Sequence, residues 1–193
     1  MNFKALNSFF SPKLQDEIPR DLYYHNYSHI MDVMDAAERI AGQEGVDDDE
    51  LVLLKTAVLF HDSGFISGTS DHELVSCELA REYLPKFQYS VEQIERICGM
   101  IQATKLPQNP QNHLEQIICD ADLDYLGRSD FWEIGGKLFK ELKGLGLIGN
   151  ETIWNQRQVS FLEMHQYFTN TAKSMRKAKK EANLEEVKAR LLA

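Results

Sequence analysis

The amino-acid sequence predicts an all-α protein, folded as a bundle of about six to nine helices. Apolar residues recur at spacings of three and four through most of the 193-residue chain, as they do on one face of an α-helix. No stretch alternates apolar and polar residues over several positions, which is the pattern of a half-buried β-strand. Glycines, prolines and helix-capping residues divide the chain at intervals that are typical of helices.

The first two predicted helices follow from apolar spacing and from their end signals. Tyr27 to Gly45 places its apolar residues three and four apart, and Gly45 stands where a helix commonly ends. The acids of Asp47–Glu50 favour the start of the next helix, because they face its positive dipole end. Leu51–Phe60 is nearly all apolar, which indicates a helix buried on most sides.

Capping boxes open the next two predicted helices. Ser70-Asp71-His72-Glu73 follows the loop at Gly64–Gly68, and its helix ends before Pro85. Ser90-Val91-Glu92-Gln93 opens a helix that extends to about Ala103. In both cases a serine is followed three residues later by an acid or amide that can bond back to the chain.

Four further helices are predicted in the rest of the chain, after Pro107 and Pro110 interrupt it. They cover about Gln111–Cys119, Ser129–Lys143 with Ser129 as the cap, Glu151–Phe168 and Thr171–Leu192. Gly144–Asn150 is the weakest connection, and it is short. We therefore expect one domain over residues 1–193.

The composition is that of an ordinary globular protein with an acidic balance. Hydrophobic residues make up 43% and charged residues 26% of the chain, which excludes disordered and fibrous classes. The 21 Lys and Arg against 30 Asp and Glu give a net charge of −9, so we expect neither nucleic acid nor a membrane as partner. Three widely spaced cysteines, no membrane-length apolar run and no secretory signal pattern predict a cytoplasmic protein with reduced thiols.

Three short segments carry residues that suit metal binding. His25 and His29 are four apart, so they share one face if a helix begins between them. His61-Asp62 directly follows the most apolar helix, where a carboxylate without a compensating charge is costly. Taken alone, this pair could equally well cap the ends of the neighbouring helices instead of binding a metal. Asp120-Ala121-Asp122-Leu123-Asp124 follows another apolar run. Imidazole and carboxylate ligands together suit a divalent transition metal or magnesium rather than a thiolate-bound zinc.

The ordered set His29, His61-Asp62 and Asp122 resembles the pattern of the HD superfamily of metal-dependent phosphohydrolases. The string from Tyr24 to Val33 is similar to the Y-H-N-x-x-H-x-x-D-V signature of the cyclic nucleotide phosphodiesterases in that superfamily. The resemblance covers about residues 23–127. It implies an all-helical HD-type core, on which we expect the helices of residues 151–192 to pack.

The resemblance also implies roles for the matching residues. Its metal ligands would be His29, His61, Asp62 and Asp122. Asp122 is preferred to Asp120 because Ala121-Asp122-Leu123 matches the A-D-L of the phosphodiesterases. Asp122 would also orient the attacking water, and His25 would be the catalytic acid that protonates the leaving oxygen.

The chain departs from the phosphodiesterases in three ways. It is much shorter, it offers no segment that matches their base-reading glutamine, and His61-Asp62-Ser63-Gly64-Phe65 lacks the further histidine of H-D-x-x-H. It is more similar to the small bacterial HD proteins. The resemblance therefore does not imply a particular substrate.

Five other residues are candidates for the site. His72 and Glu73 are candidates for a second metal contact, for a hydrogen bond to a ligand or for placing water, although Glu73 also completes a capping box. Lys105 is a candidate catalytic residue that would hold a phosphate as a point charge, and Arg128 is a candidate of similar kind for binding substrate. A solvated surface position is the alternative for both. Asp120 is a further candidate, either for a hydrogen bond to a ligand or for binding substrate.

We expect a metal-dependent hydrolase of phosphate esters, either a nucleotide phosphodiesterase or a phosphohydrolase. Its cofactor would be a divalent metal ion (Mn, Mg, Fe, Co, Ni or Zn), and its partner a small-molecule phosphate ester such as a nucleotide. The alternatives are a nucleoside mono- or triphosphate phosphohydrolase, a non-catalytic metal-containing module that binds nucleotide, and a structural adaptor without metal. The sequence leaves open whether one or two ions bind and whether the chain forms a homo-oligomer.

Overall fold

The computed structural model describes residues 1–68 and 71–192, and over these residues it contains α-helices and three short 3₁₀ turns but no β-strand. The predicted all-α class is confirmed. The α-helices are α1 (Phe3–Glu17), α2 (Tyr27–Glu44), α3 (Asp48–Phe60), α4 (His72–Tyr83), α5 (Val91–Ala103), α6 (His113–Asp122), α7 (Phe131–Gly144), α8 (Glu151–Met164) and α9 (Asn170–Leu192). The 3₁₀ turns cover Ser63–Ile66, Leu84–Phe87 and Asp124–Gly127.

Capping side chains explain where several of the predicted helices begin and end. The Asn26 side chain accepts hydrogen bonds from two backbone amides in the first turn of α2. Gly45 ends α2 in the left-handed conformation, with φ at 73°, which other residues adopt only with strain. Asp47 caps α3, and the capping box of Ser90–Gln93 at α5 is present.

Helix α1 was not predicted from the periodicity of the sequence. Its buried residues Leu6, Phe10 and Leu14 are spaced four apart, but Pro12 stands among them and argues against a helix. Proline removes one backbone hydrogen bond, the one to the carbonyl of Ser8. Because Ser8 is exposed, water can satisfy that carbonyl, and burial of the apolar side chains outweighs the loss.

Helix α6 extends further than the sequence predicted, and this difference affects the site. The side chain of Asn112 caps its first turn. The helix continues to Asp122 instead of ending at Cys119. Asp120 and Asp122 therefore lie on its last turn, two residues apart, so their side chains point in different directions.

Three other predicted boundaries have different outcomes. The predicted cap Ser70 lies outside the described residues, and α4 begins two residues after it. Ser129 does not cap α7, which begins two residues later without a side-chain cap. Helix α8 ends four residues before the predicted Phe168, because the backbone amides of Phe168 and Thr169 donate to the Asp120 carboxylate instead of continuing the helix.

The buried apolar side chains form two clusters. The larger cluster is built mainly by α1 to α6, and it includes the stacked rings of Phe10 and Phe60, whose centroids are 4.2 Å apart. The smaller cluster joins the Asp124–Gly127 turn to α7, α8 and α9. Tyr24 belongs to the smaller cluster and Ile30 to the larger one, so the start of α2 bridges the two. No helix in the described part of the chain has both the length and the apolar composition to cross a bilayer.

Candidate active site

Three helices bring the predicted metal-binding side chains together. His29 projects from the first turn of α2, His61 and Asp62 follow the end of α3, and Asp122 ends α6. The Nε2 atom of His29 lies 3.1 Å from Oδ1 of Asp122 and 3.4 Å from Nε2 of His61. Oδ2 of Asp62 lies 3.5 Å from the His29 nitrogen and 3.4 Å from the His61 nitrogen. The metal-binding atoms of His29, His61 and Asp122 therefore converge on one point between the helices, and an oxygen of Asp62 lies beside the two imidazoles.

The hydrogen bonding of this cluster suits a cation. Nδ1 of His61 lies 2.8 Å from the backbone carbonyl of Val58, to which it donates a proton, so Nε2 keeps its lone pair for a metal. Oδ2 of Asp62 is buried and has no hydrogen-bond donor among the described residues. A buried carboxylate oxygen without a donor is costly, and a divalent ion bound by these atoms would compensate it.

The electrostatics of the cluster also favour positive charge at this point. Burial alone lowers the pKa of His61, but the adjacent carboxylates of Asp62 and Asp122 outweigh it and raise the pKa to about 9. Burial raises the pKa values of the two carboxyl groups, yet the imidazoles outweigh this effect and lower both. The cluster therefore favours a positive charge between its side chains, and a metal ion held there would supply that charge in place of a proton.

The loop after the His-Asp pair is clamped onto α4. The Ser76 hydroxyl donates to the carbonyl of His61, at 2.8 Å, and accepts from the backbone N–H of Gly64, at 2.8 Å. A Cβ atom at Gly64 would lie 2.0 Å from the carbonyl oxygen of His72, which no side chain permits. Glycine at this position allows the loop to approach α4, and that approach places His72 beside Asp62.

His25 is held by a residue that the sequence analysis did not identify. Nδ1 of His25 forms a short hydrogen bond with a carboxylate oxygen of Glu141 in α7. The other oxygen of Glu141 accepts from the backbone N–H groups of Tyr24, at 2.7 Å, and His25, at 3.0 Å. Burial lowers the pKa of His25, but the hydrogen bond with Glu141 and the charge of Asp62 outweigh it, so the net shift is upward. The pKa of Glu141 is lowered in turn by the same bond, against the effect of its own burial.

Phe65 stands between two of the candidate histidines. Its ring is stacked on His25 at a centroid distance of 4.4 Å and on His72 at 4.1 Å. Nε2 of His72 lies 3.5 Å from Oδ1 of Asp62 and 3.5 Å from Oε1 of Glu73. His72 and Glu73 are thus placed beside the candidate ligands, and a role for them in contacting metal or water stays a prediction.

Asp120 is directed away from the donor cluster. It is completely buried, and its carboxylate accepts from the backbone amides of Phe168 and Thr169, both at 2.8 Å, and from the Thr169 hydroxyl, at 2.7 Å. Burial raises the pKa of Asp120 to about 6 in spite of these bonds. Its carboxylate ties α6 to the segment that precedes α9 and does not line the cavity described below, so a role in binding substrate is not supported by its position.

The two predicted phosphate-binding cations are placed differently from one another. Lys105 lies beside the site, but its Nζ atom forms an exposed salt bridge with Asp71 at 3.0 Å. The guanidinium of Arg128 lies 2.7 Å from Asp32, pairs with Asp130 at 2.5 Å, and is 3.7 Å from Asp124. These acids occupy Arg128 away from the donor cluster, so the expectation that it binds substrate is not supported by its position. A catalytic role for Lys105 stays a prediction.

A cavity of about 970 Å³ opens beside the donor atoms. One side is formed by the candidate site residues, which are His25, Asp62, His72, Glu73, Lys105 and Asp122. The rest of the lining comes mainly from α7, α8 and the Asp124–Gly127 turn, and most of these side chains are apolar. The cavity therefore joins a polar, metal-binding side to an apolar side, as small-molecule sites commonly do.

Two sequence comparisons find similarity to known proteins. The HD domain family model matches residues 26–124. A protein of Clostridium beijerinckii is 34% identical over 85 residues, which cover 42% of this chain and 53% of that protein. The chain thus spans about half the length of the curated relative that it matches.

Solved structures share the fold over nearly the whole chain. A predicted HD superfamily hydrolase of an uncultured Thermotogales bacterium is 20% identical, with a TM-score of 0.59 over 100% of this chain and 98% of that chain. YpgQ of Bacillus subtilis, solved in complex with ADP, is 21% identical, with a TM-score of 0.68 over 98% and 95%. The Lin1889 protein of Listeria innocua is 22% identical, with a TM-score of 0.66 over the same shares. At these identities the similarity establishes the fold alone.

Proposed function

The chain belongs to the HD domain family, and we propose that it is a metal-dependent hydrolase of phosphate esters. The observation that carries this proposal is the convergence of donor atoms at the edge of a cavity that His25 also lines. The donors belong to His29, His61, Asp62 and Asp122. A structural adaptor has no need to bury two imidazoles and two carboxylates together, because such polar groups are costly to remove from water.

The ligand charges match a divalent cation. Two carboxylates carry two negative charges, and the neutral imidazoles add none, so the bound site would be close to neutral in its buried surroundings. A divalent cation held there would activate water for attack and neutralise charge that develops on the phosphoryl group. Mn, Mg, Fe, Co, Ni and Zn all accept imidazole and carboxylate ligands, so the ligand set does not select among them.

His25 is the residue that we assign as general acid. Its Nδ1 atom is engaged by Glu141, which leaves Nε2 as the nitrogen that can donate a proton to a leaving oxygen. The raised pKa of His25 keeps a larger fraction of the ring protonated near neutral pH. A module that only binds nucleotide needs no acid fixed by a buried carboxylate, so this pair favours the hydrolase over the binding module.

A nucleotide is the substrate class that we propose. A cavity of about 970 Å³ is large enough for a nucleoside phosphate, and it combines apolar walls with charged groups. The similar B. subtilis protein YpgQ has been solved in complex with ADP. Together these observations support a nucleotide over a small phosphate ester that would fill only the polar side of the cavity.

Metal loading followed by a substrate panel tests the proposal. The purified protein is stripped with a chelator, reloaded with each divalent metal, and assayed on cyclic nucleotides and on nucleoside mono-, di- and triphosphates. We expect bound metal and hydrolysis of at least one of these esters, with turnover lost in His25→Gln and retained in His113→Gln. His113 is the matched control, because it is exposed and bonds to Glu44 away from the cavity. Absence of bound metal, or of hydrolysis with every metal, contradicts the proposal.

A further inference from the structure

Most charged groups that line the cavity are already engaged. Asp62 and Asp122 belong to the donor cluster, Glu73 lies 3.5 Å from His72, and Lys105 is paired with Asp71. Before a metal binds, these residues make the cavity more negative than positive. An anionic substrate therefore needs further positive charge from the wall itself.

Arg157 in α8 also lines the cavity, but unlike Lys105 it is not paired with an acid in the described part of the chain. Its side chain is exposed and forms no ion pair with any of the residues that the structure describes. It belongs to the part of the chain that follows the HD domain match. An arginine without an acidic partner can offer its full guanidinium fork to an anion.

The neighbours of Arg157 on α8 are aromatic. Trp154 and Phe161 lie three residues before and four residues after it, so all three residues share one helix face, and all three line the cavity. Both rings are only half buried. Trp154 is further supported by Phe139, whose ring lies nearly parallel to it at a centroid distance of 6.0 Å. A guanidinium between two partly exposed rings suits a ligand that carries both negative charge and a planar ring.

We propose that Arg157 binds an anionic group of the substrate other than the phosphoryl group that reacts, while Trp154 and Phe161 contact its ring. This inference rests on the proposed function and makes it more specific. The reacting phosphoryl group lies at the donor cluster, and the second anionic group lies at α8. The substrate class is then a ring-bearing phosphate with at least two anionic groups, such as a nucleoside diphosphate, rather than a monophosphate.

Equilibrium binding separates this role from catalysis. Binding of ADP and of AMP, each as a methylene-phosphonate analogue that resists hydrolysis, to the metal-loaded full chain is measured by titration calorimetry. We expect Arg157→Gln to weaken ADP at least tenfold and AMP less than twofold, because only ADP carries the second anionic group. Arg157→Lys should weaken ADP by an intermediate factor, since lysine keeps the charge but not the fork. Arg20→Gln is the matched control: Arg20 is exposed, lies outside the cavity, and should leave both affinities unchanged.

Each other result overturns the assignment. Unchanged ADP affinity in Arg157→Gln shows that the residue contacts no anion, and equal losses for ADP and AMP place it on a group that both share. Failure of the wild-type protein to bind either nucleotide also overturns it. Hydrolysis by the metal-loaded wild type is scored separately. If no ester is hydrolysed but the ADP-selective loss is present, the hydrolase proposal fails, and Arg157 is assigned only as a contact for the second anionic group of a bound nucleotide.

Discussion

The segment that matches the HD domain model and the segment that follows it contribute differently to the same cavity. Residues 26–124 carry all four residues of the candidate metal centre, whose atoms converge within hydrogen-bonding distances. The later residues carry Glu141, which holds His25, and the α8 face around Arg157. The two segments also form largely separate hydrophobic clusters. We infer that metal binding depends on the matched segment, whereas proton transfer and substrate choice depend on α7 and α8.

The largest expected effect lies in the matched segment. Asp62→Asn removes a negative charge and one donor from the cluster, so it should lose most of its bound metal. Turnover should fall by at least ~10²-fold, because even substitutions of groups that only orient a metal ligand cost 10–100-fold. Metal per protein, measured by mass spectrometry, and steady-state turnover check this expectation.

Asp120→Asn is the matched control for Asp62→Asn. It changes a buried carboxylate that bonds to Phe168 and Thr169, so it should keep its metal and lose thermal stability. Full metal content in Asp62→Asn, or metal loss in Asp120→Asn alone, would show that the donor set is assigned incorrectly.

The next effect concerns the boundary between the two segments. His25→Ala should keep the metal and lose ~10²–10⁴ in turnover, which is the usual contribution of a positioned general acid. The loss should be smaller for p-nitrophenyl phosphate, whose leaving group needs little protonation. Turnover of both esters and metal content are measured on the same preparation. Equal losses for both esters, or loss of the metal, would argue against an acid role.

A smaller effect is expected from the later segment. Glu141 is a positioning residue, and Glu141→Gln should lower turnover about tenfold to 100-fold, because it misplaces the acid without removing it. Without the carboxylate the pKa of His25 falls, so activity should be lost at lower pH on the alkaline side of the pH profile. If activity in Glu141→Gln is lost at the same alkaline pH as in the wild type, Glu141 has only a packing role.

The same variant has a signature in stability that needs no metal. The pKa of His25 is raised in the folded protein. The contribution of this shift to the free energy of unfolding is therefore complete below the unfolded pKa of 6.5 and is lost as the pH rises through the folded pKa. The pKa of Glu141 is lowered in the folded protein, so its contribution to the free energy of unfolding is complete above the unfolded pKa of 4.5 and is lost as the pH falls through the folded pKa. The loss of unfolding free energy in Glu141→Gln should therefore be largest between pH 4.5 and 6.5, as measured by denaturant unfolding at several pH values.

The smallest effect on turnover is expected at Arg128. Its guanidinium is occupied by Asp32 and Asp130, outside the cavity lining. Arg128→Gln should change turnover by less than about twofold and lower the free energy of unfolding by about 1 kcal/mol, as expected for partly exposed ion pairs. The melting temperature would then fall by about 2–4 °C. A collapse of turnover with unchanged melting temperature would restore Arg128 as a substrate contact.

What the sequence predicted well is local. The helices of the matched segment were predicted from apolar spacing and from end signals such as Gly45, and their bounds are close to the predicted ones. The residues His29, His61-Asp62 and Asp122 occur in short motifs, and the structure brings them together. Roles at the site remain predictions, but the grouping did not need knowledge of distant side chains.

What the sequence did not predict depends on pairing between distant residues. Glu141 looks like one more acid of a charged helix, and the one local signal is that it shares a face with Ile134 and Leu138. Asp71, which pairs with Lys105, and Asp32, which pairs with Arg128, are far away in the chain, so a charge count could not reveal them. Asp120 and Asp122 are two residues apart on the same helix, and what distinguishes them is the part of the protein that each side chain faces. That difference is set by the packing of the helices and cannot be read from the spacing of the two residues.

The separation of 116 residues between His25 and Glu141 has a consequence for synthesis of the chain. Chains emerge from the ribosome from the N-terminus at about 5–20 residues per second, so α2, α3 and α6 are available before α7. We expect a nascent chain that has reached Asp122 to gather its metal donors while His25 still lacks its partner. Hydrolysis of an ester would then become possible only when α7 packs against the core. An incomplete chain would bind a cation, but its His25 would not yet be held by Glu141.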